Sequence, residues 1–266
     1  DVAPSRGLGD VYKRQEFSYK RLKGNRPELE VTAEILDRLQ REVTEIEKLI
    51  TSATNHYYHH LPSQSPEGEP YLNLTPLHGE AKVIGEVIRE FIIKMFELEK
   101  ALVPFYFIEG EHKFNARIPI DETRAFNISG SIDRIDQLAD RRTLRIIDYK
   151  TGGDDSSFKD VEELFDDKKA ILQLYLYCNS LAGELKKDIP MQPILYLFKK
   201  FSTEGITPVK NGGEPVTDYR ELNGEVMAML KERLSPLFDR EIPFEPDPSK
   251  EHCHFCNYRE ICGQAQ

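Results

Sequence analysis

Between Gly130 and Gly152 the chain holds two short apolar runs, each interrupted by acidic residues, with a lysine closing the second. They read Gly130-Ser131-Ile132-Asp133-Arg134-Ile135-Asp136 and, after a turn, Arg145-Ile146-Ile147-Asp148-Tyr149-Lys150-Thr151-Gly152. Ile132, Ile135, Ile146 and Ile147 are β-branched residues that suit a pleated, buried surface, so both runs read as strands. Side chains alternate across a strand, which puts Asp148 and Lys150 on one face. If the two runs pair as a hairpin, Asp133 can sit beside them. Carboxylates within buried strands are costly unless something compensates them. Two of them can hold Mg²⁺ or Mn²⁺, helped by the backbone carbonyl of Tyr149, and an ammonium nearby can face negative charge as it develops. That set of groups suits hydrolysis of a phosphodiester. An Asp-x-Lys triplet alone is common on solvated strand ends; the apolar flanks distinguish this one.

The rest of the chain supplies the layers around such a sheet. Glu28 to Ile50 repeats Leu29, Leu36, Leu39, Val43, Ile46 and Ile50 at helical steps, and Thr51 to Leu77 is a long loop rich in Pro, Ser, His and Tyr. Glu80 to Leu102 is a second amphipathic helix with Val83, Ile84, Val87, Ile88, Phe91, Ile92 and Met95 on its apolar face. Strands follow at Phe105–Glu109, Glu111–Ile120, Ala125–Leu138 and Thr143–Lys150. Asp154 to Ser157 is a loop, Val161 to Leu181 a helix, Pro193 to Lys199 a strand and Val216 to Arg240 a last helix. This order suits an α/β or α+β domain with a mixed central sheet flanked by helices. On the helix after the second acidic strand, Gln173 and Tyr177 are four residues apart and share a face. They can dock toward the carboxylates and hold a phosphate or a nucleophile.

Three of the four cysteines fall in the last fourteen residues, as Cys253, Cys256 and Cys262 behind Pro243, Pro246 and Pro248. The Cys253-x2-Cys256 spacing places two thiolates on one metal, and His252 and His254 could complete a zinc site. Cys178 lies on the Gln173–Tyr177 helix and reads as core. A cysteine tail of this kind is a ligand cluster rather than a secreted disulfide framework. No apolar run approaches the roughly 20 residues of a membrane helix, and the start lacks the apolar core of a signal peptide, so a cytoplasmic protein without a membrane partner is expected. The net charge of −10 argues against tight autonomous binding to nucleic acid, which is driven by Lys and Arg. A bound cation would neutralise part of that acidity, and a partner in a larger complex could supply affinity. Residues 1–15 have no helical or strand period, and Asp10 to Gln15 resembles translated transposon-adapter sequence; a fragment beginning at Glu16 is expected.

Taken together, the Gly-x-x-Asp-Arg-Ile-Asp run at 130–136, the Asp-Tyr-Lys-Thr-Gly run at 148–152 and the Gln-x-x-x-Tyr at 173–177 resemble the PD-(D/E)XK nuclease superfamily, specifically its RecB/AddB-type nuclease domains. The resemblance covers Leu77 to the C-terminus. It implies a restriction-endonuclease-like core, metal-binding roles for Asp133 and Asp148, a catalytic role for Lys150 and supporting roles for Gln173 and Tyr177. It also implies DNA as substrate and a helicase or helicase-like region upstream or in a partner subunit, within double-strand-break repair or recombination. In such nucleases a three-cysteine tail joins a distant N-terminal cysteine around a [4Fe–4S] cluster; the fourth ligand is missing here, and zinc is the alternative. The family's upstream metal-ligand histidine is missing too. It is expected in a preceding segment, with His78 the alternative; Glu109 and Glu111 are further acidic candidates. The organisation expected is a non-native segment at 1–15, a helical region with a long loop at 16–76, the nuclease core at 77–245 and the Cys-rich tail at 246–266. A catalytically inactive structural or DNA-scanning module is the competing reading. A CRISPR-associated exonuclease of the same superfamily is disfavoured by the long insertions.

Overall fold

The computed structural model of the chain describes residues 16–62, 71–243, 253 and 256–263. The expected adapter segment lies outside them, as do Pro246, Pro248, His252 and His254. The chain divides into two compact units, Asp1–Met227 and Ala228–Gln266.

In chain order the first unit contains α1 (Glu16–Lys23), β1 (Leu29–Val31), α2 (Ala33–Arg41), α3 (Val43–Tyr57), α4 (Glu80–Glu99), β2 (Phe105–Pro119), β3 (Ala125–Gln137) and β4 (Leu144–Lys150). Then come β5 (Ser157–Phe158), α5 (Val161–Asp166), α6 (Lys169–Leu185), β6 (Met191–Leu197), β7 (Thr207–Pro208), β8 (Lys210–Asn211) and β9 (Glu214–Pro215). A last helix, α7 (Arg220–Leu234), begins here and ends in the second unit, where a 3₁₀ turn spans Ser235–Phe238.

Six strands form one sheet in the order β1-β2-β3-β4-β6-β7, and β5-β8-β9 form a small second sheet. Within the large sheet β4 and β6 run parallel, from Leu144↔Met191 to Lys150↔Leu197, and the other neighbours are antiparallel. A parallel pair needs a long crossover, and α5 and α6 provide it. This is the mixed α/β architecture expected, with a mixed sheet between helices.

One sheet face is buried by α2, α3 and α4. Leu36, Leu39, Ile46, Ile50, Ile88, Ile92, Met95 and Phe96 pack there with Phe105, Phe107, Ile147, Tyr149, Ile194 and Tyr196 of the sheet. The strand alternation then sends Asp148 and Lys150 to the other face, where Lys150 meets α6.

Several expected boundaries change. Glu28 to Ile50 is not one helix: Leu29 and Val31, two residues apart, bury on the same side of a strand that pairs with β2. Thr32 then caps α2 by accepting from the Ile35 amide, and the helix ends at Glu42 before α3. The expected loop from Thr51 begins seven residues late, because α3 continues to Tyr57. The two strands expected on either side of Gly110 are one long strand with a bulge between Phe107 and Glu109. The Val161–Leu181 helix is broken at Asp167, with α5 capped by Asp160, which accepts from the Glu163 amide at 2.9 Å. The last helix starts at Arg220 rather than Val216, whose amide is bonded to the Val209 carbonyl instead. On α4 the expected apolar stripe is wider than the buried one, leaving Val83 and Val87 exposed.

Candidate active site

The acidic strands pair antiparallel, with Arg134 opposite Ile147 and Asp136 opposite Arg145. This brings Asp133 to β4. Its Oδ2 accepts from the Tyr149 amide at 2.9 Å, and only 3% of Asp133 and 2% of Asp148 is exposed. Lys150 Nζ lies 2.7 Å from Asp148 Oδ2 and donates to Gln173 Oε1 at 2.9 Å. Gln173 Nε2 in turn donates to the Tyr177 hydroxyl. One continuous chain of polar contacts therefore runs from Asp148 through Lys150 and Gln173 to Tyr177, with α6 supplying its second half.

The neighbours of Tyr177 explain part of the local sequence. Phe114 packs edge-on against its ring, with centroids 5.6 Å apart. Gly130 makes room for that contact: a Cβ there would come within 3.0 Å of the Phe114 ring. Burial, then the charges of Asp148 and Asp133, push the Tyr177 phenol well above its ordinary value, against the lowering effect of Gln173. Tyr177 thus stays a protonated donor at neutral pH.

Two buried carboxylates lie on adjacent strands, with Lys150 paired to Asp148 and the Tyr149 amide donating to Asp133, and oxygen donors of this kind suit a divalent cation. Mg²⁺ keeps most of its waters and typically takes only one or two protein carboxylates. Asp133 and Asp148, with the Tyr149 carbonyl of β4 between Asp148 and Lys150 in sequence, are oxygen donors of that kind. Among the described residues no group of three or more His, Cys, Asp or Glu is placed to hold a metal. His78 is exposed ahead of α4 and does not join the two aspartates in such a group. Neither does Glu109, which instead contacts His112, nor Glu111, which accepts from Ser131 Oγ at 3.2 Å from a backbone with φ of 56°. Cys253, Cys256 and Cys262 are free thiols, with the Tyr258 amide donating to Cys256 Sγ at 3.4 Å, and Cys178 is buried in α6 as expected.

His112 is a contact the sequence reading did not single out. It bridges β2 to the C-terminal end of α6, with Nδ1 2.9 Å from Glu109 Oε2 and Nε2 2.8 Å from Glu184 Oε2. Burial pulls its value down, but the two carboxylates outweigh burial and raise it above 6.5. A group whose folded value is raised stabilises most fully below its unfolded value and loses that contribution as pH rises through the folded one. Thermal melts of the chain and of His112→Gln should therefore differ most near pH 6 and converge above the raised value. A gap that widened toward pH 9 would contradict this.

On the opposite face of the same strands lies a second set of charges that the sequence reading left aside, Arg134 and Asp136 of β3 with Arg145 of β4 and Glu99 of α4, all buried. The alternation Asp133-Arg134-Ile135-Asp136 was the available signal: a charge on each side of one buried strand.

Comparison with known proteins identifies the family. The profile of the PD-(D/E)XK nuclease superfamily matches residues 20–263. A stretch of 134 residues is 30% identical to an ATP-dependent helicase/deoxyribonuclease subunit of Acetivibrio thermocellus, covering 49% of this chain and 11% of that protein. The chain thus spans only a small part of that relative's length. A solved structure from Eubacterium rectale, provisionally described as an exonuclease, aligns over 98% of this chain and 86% of its own, with a TM-score of 0.41 and 12% identity. With a profile match over nearly its whole length, the chain belongs to the PD-(D/E)XK nuclease superfamily.

Proposed function

We propose that this chain is a metal-dependent deoxyribonuclease that hydrolyses phosphodiester bonds at the Asp133–Asp148–Lys150 cluster. The observation that carries the reading is the contact chain Asp148–Lys150–Gln173–Tyr177 beside buried Asp133. Asp133, Asp148 and the Tyr149 carbonyl would hold Mg²⁺ or Mn²⁺. Bound there, the metal would acidify a water and offset charge on the phosphate. An ammonium has three donor directions. Lys150 directs one to Asp148 and one to Gln173, which leaves a third for a phosphate oxygen or the attacking water. Gln173, itself held by Tyr177, fixes the lysine in that pose. The attack would be direct, with no covalent intermediate on the enzyme.

The likeness to a helicase/deoxyribonuclease subunit supports a place in a helicase–nuclease assembly, with DNA as substrate and a helicase or helicase-like partner, acting in the cytoplasm in double-strand-break repair or recombination. Within such an assembly the Cys253, Cys256 and Cys262 tail would contribute to a [4Fe–4S] cluster, or to a zinc site. No helix of the described residues is long and apolar enough to cross a membrane. A second reading, an inactive nuclease-like module, draws on the absence of a third metal-ligating side chain beside the two aspartates among the described residues. Incubation of the purified chain with labelled single-stranded DNA, with Mg²⁺ or Mn²⁺ and with chelator, decides between them. Metal-dependent cutting that Asp148→Ala removes is the expected result. No cutting by the wild-type chain at any metal concentration would favour the inactive module.

A further inference from the structure

Behind the candidate site, on the other face of β3 and β4, two arginines and two acidic side chains are buried together. The Arg134 side chain is fully inaccessible, and it donates to both oxygens of Asp136 at 2.8 Å and to Glu99 Oε1 at 2.6 Å. Arg145 donates to Asp136 Oδ2 at 2.6 and 3.2 Å. Tyr19 and Tyr196 both donate to Glu99, the latter at 3.1 Å. The two guanidiniums also lie against the Phe105 ring, 5.1 and 4.7 Å from its centroid. Two arginines and two acids balance, so the network is neutral as a whole. Replacing such a set by apolar residues is often neutral or stabilising, so stability alone gives little reason to keep it.

Its placement gives another reason. Arg134 follows Asp133 directly, and Asp136 is the cross-strand partner of Arg145. A strand that slips by one residue turns every side chain to the opposite face. Here a slip of β3 against β4 would carry Asp133 into the core, and it would first have to break the Asp136–Arg145 pair. Arg134 reaches one step further, donating to the Tyr149 hydroxyl at 3.3 Å, while the Tyr149 amide is the group that orients Asp133. The Tyr149 ring is also stacked on Phe198 at 5.9 Å and packed edge-on against Tyr196, so loss of the hydroxyl removes the tie to Arg134 while the apolar packing that holds the fold is kept.

We propose that the Glu99–Arg134–Asp136–Arg145 network positions the candidate site from behind: it locks the register of β3 on β4 and, through Arg134 and Tyr149, sets the orientation of Asp133. Arg134, Asp136 and Tyr149 are on this account positioning residues, and the proposal rests on the nuclease reading of the site. Partners one shell out from a metal typically contribute about 10- to 100-fold in metal affinity or activity.

The test uses the full chain and titrates Mn²⁺ by electron paramagnetic resonance, which reads the site without turnover, beside cleavage of single-stranded DNA and thermal melting. Tyr149→Phe is expected to melt close to wild type, bind Mn²⁺ about tenfold more weakly and lose kcat while its KM for DNA holds. Arg134→Lys, which keeps the charge but not the two-pronged bond to Asp136, is expected to lose more; if it does not fold, Tyr149→Phe decides alone. Tyr149→Phe equal to wild type within about twofold in Mn²⁺ affinity and kcat, where the tenfold loss is expected, would overturn the inference and leave the nuclease reading standing. A wild-type chain that neither binds Mn²⁺ nor cuts, like its Asp148→Ala control, would remove both.

Discussion

Lys150→Ala should leave a folded chain whose metal-dependent cleavage of DNA is lower by about 10²- to 10³-fold, the usual cost of one preorganised group facing transition-state charge. Lys150 is the only cation among the five side chains of the cluster, and it is held at both ends of its polar reach, by Asp148 at 2.7 Å and Gln173 at 2.9 Å. It lies at the open rim, with 24% of its side chain exposed against 3% for that of Asp148. Its removal takes the counter-charge from buried Asp148, so some stability is lost with it, and a cation bound beside Asp148 would offset part of that loss. The loss of cleavage should appear in kcat more than in KM if, as proposed, the donor direction left by Asp148 and Gln173 faces charge that develops only during reaction. Single-turnover cleavage at saturating Mg²⁺ checks this. Residual activity within about threefold of wild type, against the expected 10²- to 10³-fold loss, would remove Lys150 from the chemistry and return it to the role of a counter-charge for Asp148.

The second large effect is on stability. Asp136→Ala should destabilise the fold by about 3–5 kcal/mol, the range for breaking a buried pair from one side. It would lower the melting temperature by roughly 10 °C in a chain of this size. Asp136 is the shared partner of Arg134 and Arg145, and the variant would strand two guanidiniums in the core. Burial works against charge on Arg134, and Asp136, followed by Glu99, outweighs it and holds the group raised. Arg145 depends on Asp136 in the same way. Since domains are stable by about 5–15 kcal/mol in total, such a loss would use a large share of the margin. Equilibrium denaturation in urea measures it, and a shift below about 1 kcal/mol, well short of the buried-pair range, would mean that water reaches the network in the absence of the carboxylate.

The two predictions concern opposite faces of the same two strands, and they differ in how readily the sequence showed them. Asp133, Asp148 and Lys150 were legible because spacing along a strand dictates which side chains share a face. Gln173 and Tyr177 were legible as a pair because four residues make one helical turn. That α6 presses this pair onto Lys150 follows from the β4–α6–β6 crossover. The network was half visible: Arg134 and Asp136 stand in the same motif, but Glu99 and Tyr19 come from helices distant in sequence.

Helix boundaries failed where two periods compete. Leu29 fits the helical repeat with Leu36 and Leu39, and it also alternates with Val31. The pairing of β1 with β2, a partner more than seventy residues away, decides the matter for the strand. Likewise the stripe on α4 is apolar at Val83 and Val87 as fully as at Ile88 and Ile92, yet only the latter meet the core.

Local order and chemistry were thus written in the chain: two acidic strands, one helix with a glutamine and a tyrosine on one face, and a family signature across them. Long-range pairing settled the rest. Periodicity is a property of neighbours in sequence, whereas burial, charge compensation and strand register depend on which distant segment arrives opposite. For this chain that meant Glu99 beneath Arg134, Phe114 against Tyr177 over a bare Gly130, and His112 held between Glu109 and Glu184.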